Sequence, residues 1–156
     1  MGSLMKLGKR GILAMPDMNK PFFTNDENYN LEDLKKLPFA PADFMCKCGC
    51  GKCNFHPITL GKLALMATLA QSKGYDVDWH VNSACRCERH NKAEGGKRDS
   101  AHVSGQAIDL RASNSRQRYH IIKLAMLAGF TRIGISPGFI HLDDCESKDP
   151  RVVWLY

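Results

Sequence analysis

The chain has 156 residues, 44% hydrophobic and 24% charged, enough for one domain to bury a core without staples. No apolar run reaches the roughly 18–20 residues of a membrane helix. The N-terminus has neither a continuous apolar h-region nor a small-residue cleavage site, so no membrane span and no signal peptide are expected. A net charge of +6 suits an anionic partner, but the basic residues are scattered. Only "RCERHNKAEGGKR" (86–98) is dense; it contains two glutamates and no aromatics, which disfavours nucleic acid.

Residues 1–41 are rich in Pro, Asn, Asp and Lys and show little periodicity. They read as an irregular arm with one short helix, "NLEDLKKL" (30–37), capped by Asn30, ahead of a domain over 42–156. The glycine-punctuated "CKCGCGKC" follows, with Cys46, Cys48, Cys50 and Cys53. Seven cysteines cannot all pair within one chain. Four thiolates at this spacing suit one zinc, although the spacing is tighter than two separated pairs. A structural metal, a disulfide and free thiols all remain open.

From Pro57, "PITLGKLALMATLAQSKG" places Leu60, Leu63, Ala64, Ala67 and Ala70 near a 3.6-residue period. Leu65, Met66 and Leu69 widen that face, Thr59 is the expected cap and Gly74 the stop. "DVDWHVNSA" (76–84) reads as a strand and 86–101 as a long loop, a length more often functional than accidental. "QAIDLRA" (106–112) alternates, with Ile108 and Leu110 on one face and Ala107, Asp109 and Arg111 on the other. "SRQRYHIIKLAMLAGF" (115–130) is a second helix, its apolar side built from Ile121, Ile122, Leu124, Ala125 and Leu127. "TRIGIS", the Pro137-Gly138 turn and "FIHLDD" form a hairpin, and "RVVWLY" a closing strand. This order predicts an α+β fold, an antiparallel sheet with flanking helices.

His102, Asp109 and His141 are the candidates for one site. If Ile108 and Leu110 face the core, Asp109 points the other way, and His141 and Asp143 do so on the hairpin strand. Adjacent antiparallel strands would then bring Asp109 to His141, and Gly105 lets the preceding loop turn back so that His102 joins them. Two imidazoles and a carboxylate suit catalytic zinc, with the fourth position open to water.

"SAHVSGQAID" (100–109) resembles the S-x-H-x-x-G-x-A-x-D motif of the zinc peptidases that cleave D-Ala-D-Ala and related peptidoglycan peptides. These include D-Ala-D-Ala carboxypeptidases, murein endopeptidases and phage L-alanyl-D-glutamate endolysins, on a fold shared with the hedgehog signalling domain. "NSACRCERHN" (82–91), "GFIHLDD" (138–144) and "FMCKCGCGKC" (44–53) are similar to further family segments, the last typical of the small phage and bacterial branch. The resemblance spans about residues 42–156. It implies Zn²⁺ held by His102, Asp109 and His141, with Arg86 on the substrate's carboxylate or carbonyl oxygen and Ser100 bonding substrate or bracing the ligand loop. Asn91 is expected to hold its loop.

Two departures stand out. The family's usual proton-accepting Asp or Glu, three residues before the last ligand, is Gly138 here. Asp143 or Asp144 would have to replace it, unless Asp143 instead supports a ligand. Ala84-Cys85 stands where Gly-Tyr is commoner, and Cys87 is a further candidate partner for the cysteine cluster. The resemblance therefore implies a zinc metallopeptidase acting on peptidoglycan, with Arg86 as a catalytic residue; Asp143, near in sequence to the last ligand, is the expected stand-in for the missing acid. The alternative is a weakly active or inactive zinc-binding wall or virion module. Its expected partners are peptidoglycan and phage tail or virion proteins. Its expected setting is phage lysis or the virion, or a bacterial cytoplasm before release to the wall.

Overall fold

The computed structural model describes residues 37–156; the helix expected at 30–37 and nearly all of the N-terminal arm lie outside them. A single 3-10 turn, Pro41–Phe44, precedes the glycine-rich cysteine loop. Helix α1 then runs Pro57–Lys73, strand β1 Val81–Ser83, helix α2 Glu88–Ala93 and strand β2 Ala107–Arg111. Helix α3 (Ser115–Leu127) and strands β3 (Arg132–Ile135), β4 (Phe139–Asp143) and β5 (Val152–Leu155) complete the fold. The fold is α+β, as its element order predicts.

The five strands form one sheet in the order β1-β2-β4-β3-β5. The β1–β2, β2–β4 and β4–β3 pairs are antiparallel, whereas β5 runs parallel to β3. The expected antiparallel sheet is thus found in β1 to β4, and β5 adds a parallel edge to it. Residues 144–151 return the chain past β3 to its far edge, so β5 starts beside Arg132 and runs in the same direction.

Helices α1 and α3 pack together against one sheet face. Leu60, Leu63 and Met66 of α1 and Ile121 and Leu124 of α3 meet Ile108, Leu110, Ile140 and Leu142, all buried. Truncating a side chain such as Leu124 to alanine removes about 2–5 kcal/mol in a core of this kind. The predicted apolar stripes are slightly too wide, since Leu65 and Leu127 are exposed.

Local chemistry explains the element ends. Pro57 opens α1 with His56 as cap residue, so Thr59 does not cap; it lies inside the helix and donates to Asp144 Oδ1 at 2.7 Å. Gly74 closes α1 in the left-handed region, as expected. Asn114 Oδ1 accepts the Gln117 N–H at 2.9 Å and starts α3. Only the last part of the strand expected at 76–84 joins the sheet. Its first half is held otherwise, with the Asp78 N–H donating to Gln117 Oε1 at 2.8 Å. The polar stretch expected to be a loop contains α2, started by Cys87, whose sulfur accepts the His90 N–H.

Candidate metal centre

The β2–β4 ladder places Asp109 directly opposite His141, and alternation turns both away from the helix-covered face. His141 Nδ1 lies 2.8 Å from Asp109 Oδ1. His102 arrives from the turn before β2, its Nε2 3.3 Å from Asp109 Oδ2. That turn depends on Gly105, whose φ of +77° suits glycine. A Cβ there would sit 1.9 Å from the Asn54 carbonyl oxygen. The Arg86 N–H donates to the His102 carbonyl at 3.0 Å and the Gln106 N–H to that of Ala101 at 2.8 Å, tying the turn on both sides.

One donor atom from each of His102, Asp109 and His141 lies within 4.8 Å of the others. A tetrahedral ion with bonds of roughly 2.0–2.1 Å spaces its ligand atoms by about 3.3 Å, so this set needs little movement. The outer nitrogens are already engaged: His102 Nδ1 donates to the Ala84 carbonyl at 2.7 Å, and His141 Nε2 to Asp143 Oδ2 at 3.0 Å. Both inner nitrogens donate to Asp109 here; a bound metal ion would displace those protons while the outward ones stay, leaving the His102 Nε2 and His141 Nδ1 lone pairs free to ligate it. The residues fit a zinc ion held by two imidazoles and one carboxylate.

Burial opposes charge on Asp109, but hydrogen bonds from His102 and His141 outweigh it and hold the carboxyl well below the usual range. Burial likewise opposes an imidazolium at His141, yet carboxylates at both ring nitrogens raise its pKa. Asp143 is buried as well; its bonds to His141, the Cys145 N–H and Arg132 keep it ionised below the ordinary carboxylate value. Each carboxylate of the cluster is also paired with a guanidinium, Asp109 with Arg86 at 3.1 Å and Asp143 with Arg132 at 2.8 Å.

The sequence model described as Peptidase M15 matches residues 37–143, more than half of the chain. The chain belongs to the peptidase M15 family. No curated protein and no solved structure matches it. The M15 match takes in Arg86, Ser100, His102, Asp109, His141 and Asp143 and ends before β5.

Within this M15 domain a cleft of about 940 Å³ opens over His102, Asp109 and His141. Arg86 lines it, with Nη2 3.1 Å from Asp109 Oδ2 and Nε donating to Ser83 Oγ at 2.8 Å. Ser100 also lines the cleft, and its Oγ accepts the His102 N–H at 3.4 Å, so it braces the ligand loop. Asn91 is buried and donates to the Lys97 carbonyl at 2.8 Å, holding the loop as expected.

Asp143 stands behind His141. Oδ2 meets the imidazole, and Oδ1 accepts from Arg132 Nε at 2.8 Å and the Cys145 N–H at 3.1 Å. Of the two roles open to it, this geometry matches support of a ligand. Asp144 points to α1, where Thr59 and Lys62 hold it. Gly138 is exposed in the β3–β4 turn and supplies nothing to the site.

Trp154 and Tyr156 were not among the predicted site residues. Their rings lie 5.5 and 6.4 Å from that of His141, and Trp154 stacks over Arg132 at 5.3 Å. Gly134 permits this, because a Cβ there would come within 2.7 Å of both rings. Ala84 and Cys85 are both buried, and the aromatic side chains lining the cleft are Phe139, Trp154 and Tyr156. The closing strand was legible in "RVVWLY", but not its pairing with β3.

Proposed function

We propose that this M15 peptidase is a zinc metallopeptidase that hydrolyses peptide bonds in the stem peptides of peptidoglycan. The observation that carries the reading is a set of three convergent protein ligands opening into a cleft, beside an arginine held in place. A structural zinc site is usually closed by four protein ligands, whereas a catalytic one keeps a position open. Zinc bound here would polarise the scissile carbonyl and make a water easier to deprotonate.

The chain's own residues do the rest. Ser83 and Asp109 fix the Arg86 guanidinium, whose remaining N–H donors suit a substrate carboxylate. Lys47 and Lys97 also line the cleft and favour an anionic peptide, whereas Arg132 and Lys148 are paired with Asp143 and Asp99. Trp154 and Tyr156 form an apolar wall and exclude water from one side. Asp143 holds the His141 tautomer. Of the carboxylates lining the cleft, Glu94 alone is neither a candidate ligand nor bonded to one; it is paired with His90 Nε2 at 3.5 Å and is the candidate to take the proton of the attacking water. The protein acts at the bacterial wall, in phage lysis, in a virion or after release from a bacterium. No helix among the described residues is long and apolar enough to cross a membrane.

One observation favours a second reading, a zinc-holding wall-binding module with slow turnover. Gly138 carries no acid, and Asp143 is committed on both oxygens. Loss of general base catalysis costs about 10²–10⁴ in rate.

Digestion of purified peptidoglycan by the zinc-loaded protein, with products read by mass spectrometry, separates the two. Release of terminal D-alanine identifies a carboxypeptidase, and internal cleavage an endopeptidase. Cleavage should stop with a chelator and fall about 10²–10⁴-fold in Glu94→Gln. No cleavage, together with retained pelleting on the wall, establishes the binding module instead.

A further inference from the structure

The seven cysteines all lie within the described residues, and each is a free thiol. Four of them converge, but not the four that are nearest in sequence. Cys46, Cys48, Cys50 and Cys87 bring one sulfur each within 4.8 Å of the others. Cys53 turns instead toward Cys85, in the core behind the loop.

We propose a second metal site, a structural zinc held by the thiolates of Cys46, Cys48, Cys50 and Cys87. A tetrahedral zinc with bonds of about 2.3 Å spaces its sulfurs by about 3.8 Å. Cys46 Sγ and Cys48 Sγ are 3.4 Å apart, and Cys48 Sγ and Cys87 Sγ 3.7 Å. These separations fit sulfurs around a common ion and are far too long for an S–S bond of about 2.05 Å.

The backbone is shaped for this arrangement. Gly49 and Gly51 take φ near +78° and +77°, which lets the chain coil between successive cysteines. The Cys46 N–H donates to the Lys52 carbonyl at 2.8 Å and closes the loop. Two further N–H groups point at sulfur: Cys87 N–H to Cys46 Sγ and His90 N–H to Cys87 Sγ, each at 3.3 Å. Such bonds stabilise thiolate charge. Arg89 beside Cys48 offsets part of the net charge that four thiolates leave on a divalent ion. Cys46 is buried and Cys50 exposed, so the site lies at the surface and metal can enter.

The consequence is mechanical. Cys87 follows Arg86 directly, so the metal would clamp the 46–50 loop onto the segment that presents the arginine. Four protein ligands close the site, so it holds no open position for chemistry.

The test uses the full chain, purified under reducing conditions and loaded with Zn²⁺ or Co²⁺. Elemental analysis should find two metal ions per chain, falling to one in His102→Ala. The cobalt form should show an intense thiolate-to-metal charge-transfer band, which the sulfur-free His102–Asp109–His141 site cannot produce. That band should persist in His102→Ala, Cys53→Ser and His90→Ala, and lose its four-thiolate intensity in Cys87→Ser. Absence of a sulfur–cobalt band overturns the proposal, as does a band lost in Cys53→Ser but kept in Cys87→Ser. If Cys87→Ser does not fold, the wild-type chain decides by titration with a mercurial. Release of one metal ion in step with thiol modification supports the site, and thiols that react with no release overturn it. No readout depends on hydrolysis, so a failure here is distinct from a failure of the peptidase reading.

Discussion

Asp143 shows how a single side chain changes meaning with its surroundings. As a residue two beyond a ligand on the same strand face, it could accept a proton from water or support His141. Its two oxygens are occupied by His141, Arg132 and the Cys145 N–H, which leaves it the second task. Asp143→Asn keeps the shape but weakens the acceptor for the His141 N–H. Zinc affinity at this centre should fall about 10–100-fold, measured by competition with a chromophoric chelator. Unchanged affinity would show that the His141–Asp143 contact does not tune the site. At this scale the sequence was informative where periodicity is strict: alternation puts Asp109 and His141 on one face, and the register of β2 on β4 sets them opposite each other. Arg86, Ser100 and Asn91 were legible through the resemblance and not from any periodicity of their own.

Among the elements, β5 was legible as a strand but not by its place. Its parallel run along β3 lays Trp154 and Tyr156 over Gly134, next to His141. Gly134→Ala puts a methyl into that contact. Overpacking of this kind costs about 1–3 kcal/mol, and the strand should lift from the sheet edge. A lowered denaturation midpoint and altered tryptophan fluorescence would report it; an unchanged midpoint would mean that β5 is only loosely docked. Helix α2 was missed for a different reason. Six residues, "ERHNKA", are too few and too polar to display an apolar stripe, and the turn is held by the Cys87 sulfur as its cap and by Asn91, which bonds the Lys97 carbonyl.

The whole molecule joins two layers with different demands. On one face, aliphatic side chains of α1, α3, β2 and β4 make a core that needs no metal. On the other, acidic and imidazole groups are buried together, while the cysteine loop is anchored to the core through Phe44, Cys53 and Phe55. Metal should therefore stabilise the fold by mass action, by about 2.7 kcal/mol at 100 times the dissociation constant. Chelation should lower the melting temperature of the wild-type chain, and excess zinc should restore it. A melting curve indifferent to chelator would mean that neither donor set binds in the folded state.

By itself, the sequence determined the α+β class, the two amphipathic helices and the strand faces carrying Asp109 and His141. All of these follow from periods of two and 3.6 residues, which are local properties of the chain. Only the tertiary structure decided that β5 runs parallel, that Asp143 supports His141, and that Cys87 rather than Cys53 joins Cys46, Cys48 and Cys50. Those outcomes depend on how segments far apart in sequence close on one another, and no repeat along the chain encodes such a distance.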